Sequence, residues 1–346
     1  MKITKLLFMA IASSFVFVSC TDDEDDSSNV PLGTYDNGVL IVNEGNASSG
    51  TISFLSNDFV TDAQNIFSAE NPGQGLGGFV QSIFFDDEKA FIISNGSNKI
   101  TVVNRYTFKL IAKIEAGFSV PRFGVVVNGK AYVTNLASFS SLTDDFVSVI
   151  NLSTMLVESS IPINAIAERI EEENGKLYIS NGSYGDGNSI TVVNAATNSV
   201  VTSINVGMSP TSIEEDGGFL YVLCGNFVGN SKLVKINLAT NQIATEIVLA
   251  GLSNAQNLNI EDGKIYFTVN SDVFSENLSA TTISTTPKFT STALTLYGFG
   301  VEKGKIYVGD AKDYASDGTV FIYNTAGILQ KQFTAGLNPN GFYFND

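Results

Sequence analysis

Seven side chains occupy one place in a repeated pattern: Asn340, Gln81, Arg122, Glu168, Thr211, Gln256 and Tyr297. Each is found by counting back from the aromatic anchor of its repeat. All seven are polar or amphipathic, whereas the position two residues on is mostly apolar (Ile83, Ile170, Ile213, Leu258, Phe299). A ring of amides with one cation, one anion and a phenol can hydrogen-bond a large neutral or amphipathic ligand. The plain alternative is that these groups only solvate a water-filled channel. Loops expected around the same ring add Phe139, Tyr184, Phe227 and Tyr314. Exposed aromatics over a polar ring suit stacking plus a few directed hydrogen bonds, although each alone could anchor its own loop. The seven ring residues, with Tyr184, Phe227 and Tyr314, form the candidate ligand set.

Catalysis finds less support. The chain has no histidine, which removes Ser-His-Asp and Cys-His arrangements and His-bearing metal sites. Carboxylate chemistry of the glycosidase kind remains open, with Glu44, Glu168 and Asp310 as candidates. Nothing in the sequence pairs them, so no catalytic residue is assigned. Asp310, Asp313 and Asp317 fall in one loop and offer oxygen ligands for Ca²⁺, but not at EF-hand spacing. No metal site and no cofactor are assigned.

The element that must position the ring is a short phrase, clearest as Asn174-Gly175-Lys176-Leu177-Tyr178-Ile179-Ser180-Asn181. Asn-Gly makes a tight turn because both residues tolerate positive φ. Apolar β-formers follow and end in a small polar pair, the pattern of a buried strand. Copies begin at Asn128, Asp262 and Lys303, and looser ones at Asp87, Gly217 and Gly38. The later copies recur every 41 to 46 residues, a propeller-blade spacing. Seven copies predict seven blades.

Each phrase is followed by a strand ending in Asn, such as Ser189 to Asn194, and then by a more polar outer strand, such as Ser199 to Ile204. An innermost strand precedes the next phrase, best seen as Gly207 to Glu214. The span from Phe59 to Gly78 is longer than its equivalents and reads as a Pro- and Gly-marked loop. The C-terminal Gly336 to Phe344 resembles an innermost strand with no phrase after it, and the first blade lacks one. The expected fold is therefore an all-β, seven-bladed propeller of four-stranded blades over residues 37–346, closed by the C-terminal strand completing the first blade.

Residues 1–19 read as a leader: Lys2 and Lys5, then an apolar stretch from Leu6 to Val18 too short to span a bilayer. Phe17-Val18-Ser19-Cys20 resembles a lipobox with Cys20 as the acylated residue, although Phe17 replaces the usual Leu. Residues 20–36, opening with an acidic run from Asp22 to Asp26, read as a solvated tether. The net charge of −16 becomes −18 once Lys2 and Lys5 leave with the leader. That balance repels phosphate backbones and excludes nucleic acid as a partner. With Cys20 lipidated, Cys224 has no disulfide partner and reads as a buried small hydrophobe.

The Gly-Lys-hydrophobic-Tyr phrase, the Val-Val-Asn strand and the Gly-x-x-Pro-x-x-Ile innermost strand (Gly207 to Ile213) resemble YncE-like seven-bladed propellers. Asn43-Glu44-Gly45, on a chain with this leader, is similar to a Bacteroidetes subgroup of surface lipoproteins. The resemblance covers residues 39–346. It implies an outer-membrane, outward-facing, monomeric binding protein that touches the membrane only through its lipid. Some members of the subgroup capture cobalamin for a TonB-dependent transporter, so a corrinoid ligand and such a transporter are the implied partners. A protein-interaction scaffold or adhesin is the alternative, and a glycan hydrolase or lyase the third.

Overall fold

The computed structural model describes residues 31–345. The leader, Cys20 and the acidic run lie outside the described residues. Seven antiparallel sheets of four strands follow one another, as the phrase count predicts. The innermost strands are Val80–Asp86, Pro121–Val127, Ile170–Glu173, Pro210–Asp216, Gln256–Glu261 and Leu296–Glu302 for blades two to seven. The first blade receives its innermost strand, Pro339–Asn345, from the other end of the chain. That strand pairs with Gly38–Asn43, placing Tyr343 opposite Leu40 and Phe342 opposite Ile41.

The phrase behaves as its composition dictates. In its best copies both turn residues have positive φ, as at Asn128 (52°) and Gly129 (73°), and at Asn174 (53°) and Gly175 (75°). This is the hairpin turn whose twist matches its flanking strands. The following strands are buried almost throughout, with Tyr132, Tyr178, Tyr266 and Tyr307 at most 2% exposed. Two of these tyrosines also staple neighbouring blades. The Tyr132 hydroxyl donates to the Ala195 carbonyl at 2.8 Å, and that of Tyr178 to the Leu238 carbonyl at 3.2 Å. The apolar cores lie between blades, as where Tyr178, Ile190 and Val192 of blade four meet Ile213, Leu220 and Val222 of blade five. Cys224 is free and buried in that core, and burial pushes its thiol up to about 12.

The polar residue ending the phrase is a latch. Asn43 donates to Thr51 and Ser53 and accepts the Gly336 amide at 3.0 Å. Asn135 accepts the Ser119 amide at 2.9 Å, and Asn181 donates to the Ile166 carbonyl at 2.6 Å. Each buried amide thus ties its strand to the segment leading into an innermost strand, satisfying groups that burial would otherwise strand.

The seam between the last and first blades carries further ties. Gln64 donates to the Thr334 carbonyl, Lys305 to that of Asn57 and Lys331 to that of Phe59. On its other side the first blade is tied to the second, where Asn345 donates to the Tyr35 and Arg105 carbonyls and accepts from the Arg105 guanidinium, which lies over Phe85 at 4.0 Å. The long span after the first blade is not loop throughout. It contains the short outer strand Asp62–Ala63 and one helical turn, Ile66–Glu70, whose Ile66 and Phe67 are fully buried against Phe54 and Tyr35. Two adjacent apolar residues were too short a pattern to announce a helix.

Candidate functional site

The inner strands enclose a cavity of about 550 Å³ along the axis. All seven ring residues named from the sequence line it, and so does Tyr184. The local cause is a β-bulge. In five blades the register between innermost strand and phrase strand shifts across the ring residue, as between Pro210 and Ser212 or between Val80 and Ser82, and in blade six the shift falls just after Gln256, which still pairs with Thr268. The extra residue leaves the ladder, so its polar side chain turns to the mouth. In blade four the strand begins only at Ile170, leaving Glu168 and Arg169 ahead of it.

The ring residues do not stand apart from one another. Arg122 donates twice to Glu168 through Nε (3.1 and 2.9 Å) and once through Nη2 (2.6 Å). Its Nη1 donates to Gln81 Oε1, which also accepts from Asn95. Burial opposes the charge on Arg122, but Glu168 more than compensates and holds the guanidinium above its ordinary value. Asn340 donates to the Val80 and Gln81 carbonyls, and the Tyr297 hydroxyl donates to Glu44 at 2.5 Å. Burial first, and then the Glu44 charge, raises the Tyr297 phenol well above its usual value. Thr211 bonds backbone carbonyls of Leu223 and Ala255, while the exposed Gln256 side chain donates to Asn254 of its own approach. The ion pair is mostly enclosed, with 12% and 14% of the two side chains exposed. Glu168→Gln should therefore cost about 2 kcal/mol by leaving Arg122 under-paired. A chemical denaturation curve unchanged from wild type would refute that role.

The aromatics divide. Phe139, Tyr184, Phe227 and Tyr314 are all exposed, at 67%, 72%, 67% and 52%. Phe139 and Tyr184 approach to 6.5 Å, and a Cβ added at Gly185 would stand 3.5 Å from the Phe227 ring. These three form one patch over blades three to five. Tyr314 meets Tyr297 edge-on at 5.5 Å on the opposite side of the mouth. Phe227 and Tyr314 are outside the cavity lining itself.

The candidate carboxylates are committed elsewhere. Glu168 holds Arg122 and Glu44 holds Tyr297. Asp310 is 3% exposed and accepts the Thr295 and Lys312 amides, both at 2.9 Å. Asp313 caps its own loop through Ser316 and Ala315, which hold its carboxyl down to about 2. Asp310, Asp313 and Asp317 therefore do not converge, and among the described residues no three acidic, His or Cys side chains gather to hold a metal.

Sequence reasoning missed the lower wall of the cavity. Beyond the bulge the side-chain phase shifts, so Phe123, Arg169, Asn257, Glu214, Asn259 and Tyr343 also line it. The apolar residues two places on, such as Ile170 and Ile213, pack into the inter-blade cores instead. The available signal was acid in an inner strand, Glu171-Glu172-Glu173 and Glu214-Glu215-Asp216.

Residues 37–303 match a family described as a domain of unknown function, DUF5074. The chain belongs to this family. Among curated proteins none matches it. DUF5074 is here a closed seven-bladed propeller, and solved structures of low identity share the architecture. A quinonprotein alcohol dehydrogenase-like protein from Bacteroides thetaiotaomicron is similar at TM-score 0.68 and 15% identity, covering 90% of this chain and 79% of that one. A hypothetical selenium-binding protein from Sulfolobus tokodaii gives TM-score 0.66 at 10% identity, covering 89% and 93%. BamB from Moraxella catarrhalis gives TM-score 0.54 at 14% identity, covering 88% and 85%. At such identities the likeness is one of fold alone.

Proposed function

We propose that this DUF5074 protein captures a ligand over the channel mouth, without chemistry, while anchored to the outer membrane by lipid on Cys20. The ligand then passes to a TonB-dependent transporter. One observation carries the reading: seven polar ring residues from seven blades line a single cavity beneath exposed Tyr184, Phe227 and Tyr314. Polar groups fixed at the base with aromatic faces above suit a molecule that stacks at the rim and hydrogen-bonds below. A corrinoid, which the sequence resemblance implies, would lie across the rim rather than sink into it. Calorimetric titration with cyanocobalamin tests this directly. One-to-one binding, weakened about tenfold by Tyr184→Ala or Phe227→Ala, is expected for a stacked rim ligand. Because Arg122 is saturated by Glu168 and Gln81, Arg122→Ala should act on stability more than on affinity.

Absence of binding at high micromolar cyanocobalamin would remove the corrinoid. The contiguous exposed patch of Phe139, Tyr184, Phe227 and Val228 favours a protein partner as the second reading. Co-purification with an outer-membrane barrel, without any small ligand, would support it.

A further inference from the structure

The two arginines of the cavity differ in one respect. Arg122 spends its guanidinium on Glu168 and Gln81. Arg169 sits over the Phe123 ring, its Cζ 4.5 Å from the centroid, and its side chain makes no hydrogen bond or ion pair among the described residues. A guanidinium stacked on one face keeps its rim of N–H donors free for a planar anion. Arg169 is only partly exposed and opens into the cavity. Two carboxyls stand close by, Glu214 in the cavity wall and Glu171 two residues along the chain. Burial, and for Glu171 the neighbouring Glu214, holds both above the ordinary carboxylate range, while Arg169 pulls them back.

A simple anion would meet Arg169 but would push the Glu214 carboxyl further up, or be repelled by it once ionised. A simple cation would meet the reverse. A group carrying both charges a few ångströms apart meets neither penalty. We propose that the channel below the mouth binds the head group of an α-amino acid or peptide terminus, its carboxylate on Arg169 and its ammonium against Glu214. The cavity of about 550 Å³ leaves room beyond the head group for a side chain or a second residue. This deepens the capture reading, because the ligand enters by the same mouth, but it does not require a corrinoid.

The test is calorimetric titration of the purified protein with each standard L-α-amino acid and with diglycine. At least one should bind with Kd below about 1 mM, and its N-acetyl and carboxamide derivatives should bind about tenfold more weakly or worse. Arg169→Gln should weaken binding by a similar factor, with Arg169→Lys intermediate. Glu214→Gln provides a second variant, and should abolish the preference for the free amine over the N-acetyl form. No binding by any probe at about 10 mM would overturn the proposal. So would equal binding of the capped forms. Amino-acid binding without cyanocobalamin binding would overturn only the corrinoid reading, and the opposite result only this one.

Discussion

Asp145→Asn is expected to raise the melting temperature at pH 8 and to leave it nearly unchanged near pH 4. Asp145 is 1% exposed. One carboxyl oxygen accepts the Ala167 amide at 2.8 Å, while Oδ1 has no donor and the Asp144 carboxyl lies within hydrogen-bond reach. Burial first, and then the charges of Asp144 and Glu168, pushes this carboxyl up to about 7 from its usual 3.8. Between those two values the folded chain keeps a proton that the unfolded chain has released. Stability therefore falls as pH rises from about 4 to about 7, and the full penalty persists above. Asparagine has no proton to lose, and its amide supplies the missing donor toward Asp144. The shift corresponds to about 4 kcal/mol, or roughly 6 °C in a chain of this size. Thermal melts of both proteins across pH 4 to 8 decide it. A gain of the same size at pH 4, or a loss at pH 8, would show that Asp145 is not the group responsible.

A chain ending at Leu337 is expected to show no cooperative melt. It would lose the strand Pro339–Asn345, leaving Gly38–Asn43 with one edge unpaired although every residue of that strand is buried. The ladder alone is worth about 5 kcal/mol at typical net hydrogen-bond values, comparable with the whole stability of many domains. Loss of Phe342 from between Tyr307 and Ile41 and loss of the Asn345 ties to Tyr35 and Arg105 come in addition. The ring would become an open array with two ends. Gel filtration and circular dichroism of the truncated chain, with and without a peptide of residues 338–346, test this. A melt within a few degrees of the full chain would contradict it, whereas restoration by the peptide would confirm the closure.

The fold was legible because its signals are local and repeated. Asn128-Gly129 and Asn174-Gly175 state their turn in two letters, and Tyr132 and Tyr178 mark the same buried position in successive blades. Ring closure followed from the unmatched ends alone. The ring positions could be counted for the same reason, and all seven line the cavity. Their pairing could not be read. Arg122 and Glu168 are 46 residues apart, and only the ring brings them to 2.6 Å. Glu214 was missed because strict alternation was assumed through a bulge that reverses it, and Arg169 because it stands ahead of the inner strand of its blade. The turn Ile66–Glu70 was missed because a single helical turn carries no period.

Asn340, Gln81, Arg122 and Glu168 form one continuous chain of hydrogen bonds across blades one to four, and Tyr297 with Glu44 forms a separate pair between blades seven and one. Thr211 and Gln256 are not joined to it. One side of the mouth is thus already set in the free protein, and its groups surrender little rotamer freedom when something binds. The entropic cost of ordering falls on the sector of blades five and six, chiefly on the Gln256 side chain, at about 1 kcal/mol for a long flexible residue. Selection for tighter binding would therefore find its gains in stiffening that sector, through slower dissociation rather than new contacts.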